Sequence, residues 1–328
     1  MLGYILRRIG IMIPTLFIIS IISFVVIQLP PGDYLTTYSM TLRTQGDNVQ
    51  EEAIQALRDR YGLGEPIYVQ YGKWIWGIIS RGDWGQSMEV GRPVKDLIWE
   101  RLALTMVLSL MSITVSWFIA IPLGVYSATH QYSIPDYIVT TFSFIGVGTP
   151  GFLLALLIMW AAMNWFGLNV GGLFSQQFIM APWSLDKVVD MLKHIWIPIL
   201  ILALNGTAQG LRTTRANLLD ELNKPYVETA RAKGITEAKV IWKYPVRVAL
   251  NPFFSTAGWE LANMISGSQL VSIVLSLETT GPLLLRSLTS QDMYLAGGFL
   301  LLLSALTVIG TLISDIVLAW VDPRIRMT

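Results

Sequence analysis

The sequence predicts an all-α integral membrane protein of about six transmembrane helices, with an extracellular insertion between the first and second spans and a short amphipathic cytoplasmic helix between the fourth and fifth. Three observations carry this. Apolar residues fill 53% of the 328 positions and charged residues only 14%, the wrong mixture for a water-facing surface. The apolar residues are gathered into runs near the roughly 20 residues that a helix needs to cross a hydrocarbon core of about 30 Å. Lys and Arg collect on one set of alternate connections, as the positive-inside rule requires.

The first span runs from Ile9 to Leu29 behind Arg7 and Arg8, and its length and lack of an Ala-x-Ala-like site favour a retained anchor over a cleaved signal peptide. Pro30, Pro31 and Gly32 stop it before Asp33. Residues 31–100 form the insertion, mixing Glu51, Glu52, Arg58, Asp59 and Arg60 with Tyr68, Tyr71, Trp74, Trp76 and Trp84. Aromatics of this kind prefer the membrane interface, so a small fold lying against the bilayer surface is expected. Such tryptophans, Trp183 among them, either anchor at the interface or stack on sugar rings at an outer mouth. Residues 101–328 hold five further spans: Leu102–Ala128, Tyr137–Trp165, Ile195–Leu211, Leu250–Leu277 and Tyr294–Trp320. Pro122 and Gly124 interrupt the second span, and Gly146, Gly148, Pro150 and Gly151 the third. These breaks serve either as hinges or as sites of close helix packing.

Orientation follows from the cations. Arg7 and Arg8, then Arg212, Arg215, Lys224, Arg231, Lys233, Lys239, Lys243 and Arg247, then Arg324 and Arg326 all fall inside if the amino terminus does. Both termini are then cytoplasmic in a multi-pass plasma or inner membrane protein. The segment Asp33–Glu100, with more acidic than basic residues, and the stretch Gly167–Lys193, which holds only Lys187 and Lys193, lie outside, and the short inside loop Thr129–Asp136, lacking Lys and Arg, bears on neither choice. The net charge of +1 is uninformative taken whole and implies nothing about a nucleic-acid surface, and the absence of cysteine excludes disulfides, thiolate metal sites and thiol nucleophiles. His130 and His194 fall on opposite sides of the bilayer, and no nucleophile–base pair or metal cluster stands out, which disfavours a membrane enzyme.

Polar side chains at bilayer depth need water or a partner. Asn205 and Gln209 lie four apart on one face of the fourth span; Glu260, Asn263 and Ser266 follow at intervals of three on the fifth, with Gln269 nearby. They either line a water-filled pathway or join helices by hydrogen bonds. Glu260, being ionisable, carries the strongest case for a pathway, and a self-contained transporter or channel using it as a proton or ion site is one alternative. Asp315, a turn from the cytoplasmic end, is expected to pack against a basic residue there.

The segment 212–247 is polar yet helical in pattern. Leu218, Leu219 and Leu222 share a face of a helix ending near Asn223, and Pro225 can open a new one at its first position. That second helix holds Tyr226, Glu228, Thr229, Ala230, Arg231, Ala232 and Lys233, and Gly234 closes it in a left-handed turn. Thr236 can cap a third helix that leads through Trp242 and Tyr244 back to the membrane. The small Ala230 and Ala232 permit close approach of another surface, with Glu228, Arg231 and Lys233 at its rim. A solvated basic loop is the alternative.

The stretch Glu228 to Gly234 resembles the Glu-Ala-Ala…Gly loop of binding-protein-dependent ABC importer permeases, and Tyr226 to Gly234 is similar to the dipeptide/oligopeptide/nickel branch. Collinear matches extend the resemblance: the segment Met1–Arg8 with Pro31-Gly32-Asp33, Tyr61–Gly64 with Pro66, Gln70 and Tyr71, Gly82–Ser87, Arg215–Leu219, Asp292–Tyr294, and Asp315 with Asp322–Arg326. The resemblance implies one half of a translocation pathway, paired with a second homologous permease, for oligopeptides or oligosaccharides. It implies two cytoplasmic ATPase subunits that carry ATP and Mg and receive the 226–234 helix in a cleft, and an outer solute-binding protein. This chain has no Gly-x-x-x-x-Gly-Lys-Ser/Thr loop, so ATP hydrolysis belongs to other chains. It departs from the family pattern at Pro245-Val246-Arg247 and in the outer loop Leu277–Leu283.

Overall fold

The computed structural model describes residues 2–29, 34–35, 55, 64–168 and 170–321. The stop at residues 30–33, the charged run Glu51–Arg60, the motif residues Tyr61–Leu63 and the tail Asp322–Arg326 lie outside the described residues. In chain order the helices are α1 (Leu2–Gln28), α2 (Ile67–Arg81), α3 (Val94–Thr129), α4 (Ile134–Gly148), α5 (Gly151–Phe166), α6 (Gln176–Ile179), α7 (Leu185–Leu222), α8 (Pro225–Ala232), α9 (Glu237–Lys243), α10 (Pro245–Ala249), α11 (Asn251–Val274), α12 (Thr280–Thr289) and α13 (Met293–Val321). Apart from one isolated bridge, Gln86 to Pro93, the described residues contain no strand pairing.

Among the described residues four helices are long and apolar enough to cross a membrane, and the pair α4 and α5 makes a fifth if taken as one span. The sequence count of six adds α11, whose 24 residues suffice for length at about 1.5 Å each. Its Asn, Glu, Ser and Gln residues hold it below the apolar character of the others. The third predicted span is broken: α4 and α5 meet at 108°. Thr149 is extended, as a residue before proline prefers, and Pro150 has no N–H to continue the ladder. In contrast, Pro122 sits inside the continuous 36-residue α3, so the second span is not interrupted. Gly124 answers to packing instead, since a Cβ there would lie 2.6 Å from Cβ of Thr214 on α7. The fourth span is the middle of α7, a single 38-residue helix that runs on past Leu211.

Two compact units organise the chain. One comprises residues 106–277 and, among the described residues, 309–321, and is built on α7, against which α4, α5, α10 and α11 pack. Gly258 on α11 and Gly310 on α13 meet backbone to backbone there; a Cβ on Gly258 would fall 2.1 Å from the Gly310 carbonyl oxygen. The other unit comprises residues 2–105 and 278–308. Its cores are Val94, Leu97, Ile98, Leu284, Leu295 and Phe299, and a second cluster of Phe24, Trp74, Met88 and Met293. Helix α12 closes on the first of these through Leu284, within a segment for which the sequence pattern offered no helix.

Candidate functional site

Helices α7 and α11 place the polar side chains of the two spans around one cavity of about 440 Å³. Asn205, Gln209, Glu260 and Asn263 all line it, so four of the six residues singled out by spacing converge. Ser266 and Gln269 do not line it. At about 100° per residue, Gln269 points some 200° away from Gly267, which does face the cavity together with Met264 and Leu270. The broken span supplies the opposite wall: Pro150, Gly151 and Phe152 line the same space. Gly151 lets the backbone come close there, since a Cβ would sit 3.1 Å from Nδ2 of Asn205 and 3.5 Å from Cγ2 of Val271. The break therefore brings backbone to the polar face, which spacing alone did not reveal.

Glu260 is half-buried and makes no hydrogen bond or ion pair among the described residues, and Oδ1 of Asn205 is buried without a hydrogen-bond partner among them. A second space of about 200 Å³ adjoins at Gln209 and Glu260 and continues past Thr213, Thr256, Trp117 and Trp259. Along α7 and α11 the two spaces form one track in which Asn205, Gln209, Thr213, Thr256, Glu260 and Asn263 interrupt mostly apolar walls. Irregular backbone and amide side chains at bilayer depth are tolerated where they line a cavity of this kind.

Between α7 and α11 the chain makes three short helices. Pro225 occupies the first turn of α8 with Lys224 before it, and Gly234, at φ +72°, ends the turn that follows. Val227 and Ala230 on α8 and Val240 on α9 are buried together, with Ile235 and Tyr244 against them. Ala230 thus spends its small size on packing within the chain rather than on an outer surface, while Glu228, Thr229, Ala232, Lys233 and Gly234 are exposed. The periodicity is 3: positions 227 and 230 face in and the remainder face out. Arg231 donates from Nη2 to Oε1 of Glu237 at 2.7 Å and from Nε to both carboxylate oxygens at 3.1 Å, folding the rim charge onto α9. That guanidinium holds the Glu237 carboxyl below its ordinary value. Tyr226 donates to Glu221 at 2.6 Å, and partial burial together with that bond pushes its phenol up to about 12. Thr236 precedes α9, but its side chain makes no capping bond.

A third feature escaped the sequence reading. Arg215 on α7 grips Asp136 at the first turn of α4, Nε to Oδ1 and Nη2 to Oδ2, both at 2.9 Å. The Tyr132 amide donates to Oδ2 at 2.9 Å, and Ser127 at the end of α3 donates its hydroxyl to Oδ1. Asp136 is 2% exposed. The available signal was a lone acid at the mouth of a loop without cations.

Residues 120–327 match the family of the binding-protein-dependent transport system inner membrane component, and residues 1–116 match that system's membrane component N-terminal family. The chain belongs to this family of ABC importer permeases. It is 36% identical over 330 residues to the oligopeptide transport system permease protein AppB of Bacillus subtilis, covering 99% of this chain and all of that one. The dipeptide transport system permease protein DppB of Alkalihalophilus pseudofirmus is 29% identical over 99% of this chain and 100% of its own length. The peptidoglycan transport system permease protein YejB of Agrobacterium fabrum is 30% identical, covering 98% of each. The solved structure of the MetNI methionine ABC transporter in an inward-facing conformation shares the fold, with a TM-score of 0.50 at 17% identity over 69% of this chain and 96% of that one. This permease is therefore a multi-pass inner-membrane transport subunit, with ATP hydrolysis on separate subunits. Family membership displaces the self-contained transporter. It also implies, in general terms, a partner permease, an ATPase and a solute-binding protein.

Proposed function

We propose that this permease subunit forms half of the translocation pathway for oligopeptides, that the track along α7 and α11 is its share of that pathway, and that α8 is the helix through which an ATPase subunit drives it. The observation that carries the pathway is the convergence of Asn205, Gln209, Glu260 and Asn263 on one cavity, with Pro150 and Gly151 opposite. Backbone amides and amide side chains suit a solute that is itself rich in amides, and the peptide names of the relatives support the same class. The relative named for peptidoglycan supports a second reading, an oligomer carrying saccharide units.

In this proposal both termini and α8 are cytoplasmic, residues 31–100 lie outside, and residues 101–328 form the core around the coupling loop 212–247. Two ATPase subunits, holding ATP and Mg, receive the exposed face of α8, where Tyr226, Glu228, Thr229, Ala232, Lys233 and Gly234 are the candidate contacts. Ala230 supports that face from beneath, and Arg231 braces it through Glu237. A second, homologous permease completes the pathway as a heterodimer, and a solute-binding protein delivers at the outer mouth.

Co-purification tests the reading. The complex extracted in mild detergent should retain its ATPase subunits with the natural chain and lose them with Glu228→Arg, while the partner permease stays bound. Retention of the ATPase by the Glu228→Arg complex would remove α8 as the dock.

A further inference from the structure

We propose that Asp136, Ser127 and Arg215 form a positioning node that makes α4 follow the α8–α10 elbow, so that movement imposed on the elbow reaches the Pro150–Gly151 wall of the cavity. This rests on the reading of α8 as the ATPase dock.

The elbow stands on an apolar block. Leu218 at the end of α7, Val125 and Ala128 at the end of α3, and Val246 and Ala249 of α10 are buried together, and Asn217 Nδ2 adds a 3.3 Å bond to the Ala249 carbonyl. A second cluster joins α8 to α9. Among the described residues neither cluster contains a residue of α4. Deeper along α4, an apolar cavity of about 400 Å³ opens beside Val139, Phe142 and Gly146, with Leu123, Leu204 and Leu211 on its other sides. Further along, α4 rests on α7, where Ser143 donates to the Ala208 carbonyl at 2.8 Å and Gly146 lies against Ala208, but neither apolar cluster of the elbow reaches its first turn. The link there is polar.

That link is directional. The Asp136 carboxylate accepts from two guanidinium nitrogens, the Ser127 hydroxyl and the Tyr132 amide, and Arg215 Nε also reaches Ser127 Oγ at 3.1 Å. A bidentate arginine–carboxylate pair fixes both distance and angle. The far end of α4 leads through the extended Thr149 directly to Pro150 and Gly151, which line the cavity. The helix is about 22 Å long, locked in angle at its first turn by the node, resting on α7 at Ser143 and Gly146, and carrying the pathway wall at its far end.

The test uses the whole importer in proteoliposomes. Because this chain has no cysteine, single cysteines at Tyr137 on α4 and Lys239 on α9 can carry spin labels in a complex whose partner chains are also freed of accessible thiols. With the natural node, the label-to-label distance should be the same with and without nucleotide. The double variant Asp136→Asn with Arg215→Gln removes both charges and leaves neither buried alone, so it should fold and assemble. In it the distance should separate between nucleotide states, and solute moved per ATP hydrolysed should fall about five- to tenfold while ATP hydrolysis continues. An unchanged distance and an unchanged ratio in the double variant overturn the node. So does a parallel loss of transport and hydrolysis at constant ratio, which marks a static brace. Retention of the ATPase subunits by Glu228→Arg is the separate result that sinks the α8 dock, and the proposal with it.

Discussion

Ser87 donates its hydroxyl to the carboxylate of Asp292 at 2.6 Å, joining two fully buried residues 205 positions apart. Asp292 also accepts from the amides of Glu89 and Leu295, both at 3.2 Å, so one side chain pins the segment before α3 and caps the start of α13. Burial pushes this carboxyl above its ordinary value, its hydrogen bonds opposing only part of that rise. The folded state therefore holds the proton more tightly than the unfolded chain. This contribution is fully present below the unfolded value of about 3.9 and declines as the pH rises through the folded one. Thermal unfolding of the purified protein across that window should show a declining midpoint that Asp292→Asn flattens. Asp292→Ala, which strands the Ser87 hydroxyl and two amides, should cost about 1–3 kcal/mol.

The crossing of α11 over α13 depends on two glycines. Gly258→Ala places a methyl 2.1 Å from a backbone oxygen, and Gly310→Ala places one 2.6 Å from another. Backbone cannot step aside as a flexible side chain can, so each substitution should cost about 1–3 kcal/mol or more and sharply lower the yield of monodisperse protein in size-exclusion chromatography. Normal yield for both would mean that the two helices do not cross so closely.

Glu260 should matter to transport and not to assembly. Glu260→Gln keeps the shape and removes the charge, so the complex should form and its ATPase should run, while uptake of peptides bearing a free amino group falls about tenfold. Uptake at the natural rate would return Glu260 to a packing role.

Gly234 sits at φ +72° with open space where a Cβ would go. Gly234→Ala should therefore act through backbone strain rather than collision, costing about 1 kcal/mol in local stability and loosening ATPase retention without abolishing it. Hydrogen exchange over residues 225–240 reads that loosening, and protection equal to the natural chain would contradict it.

The membrane class was legible because bilayer thickness imposes a run length that composition displays directly. The elbow was legible for a similar reason: Pro225 and Gly234 are local signals, acting within a turn of themselves. The convergence of Asn205, Gln209, Glu260 and Asn263 followed from helical spacing, but Ser266 and Gln269 show its limit, since spacing does not say which stripe of α11 meets α7. Ala230 shows the same limit, a small residue that packs inward. The break at Thr149 and Pro150 was legible as an interruption, whereas its 108° bend and its approach to Asn205 were not, because the bend depends on what α4 and α5 pack against. Asp136 and Arg215, 79 positions apart, carried no local signal of their pairing. Nor did Ser87 and Asp292.

Reconstituted uptake is the most direct test of the central claim, that a separate ATPase drives this permease through the segment between α7 and α11. Labelled oligopeptide should accumulate only in proteoliposomes that hold the permease pair, the ATPase subunits and internal MgATP, with solute-binding protein supplied outside. Accumulation by the permease without its ATPase, or by the full complex without nucleotide, would contradict it.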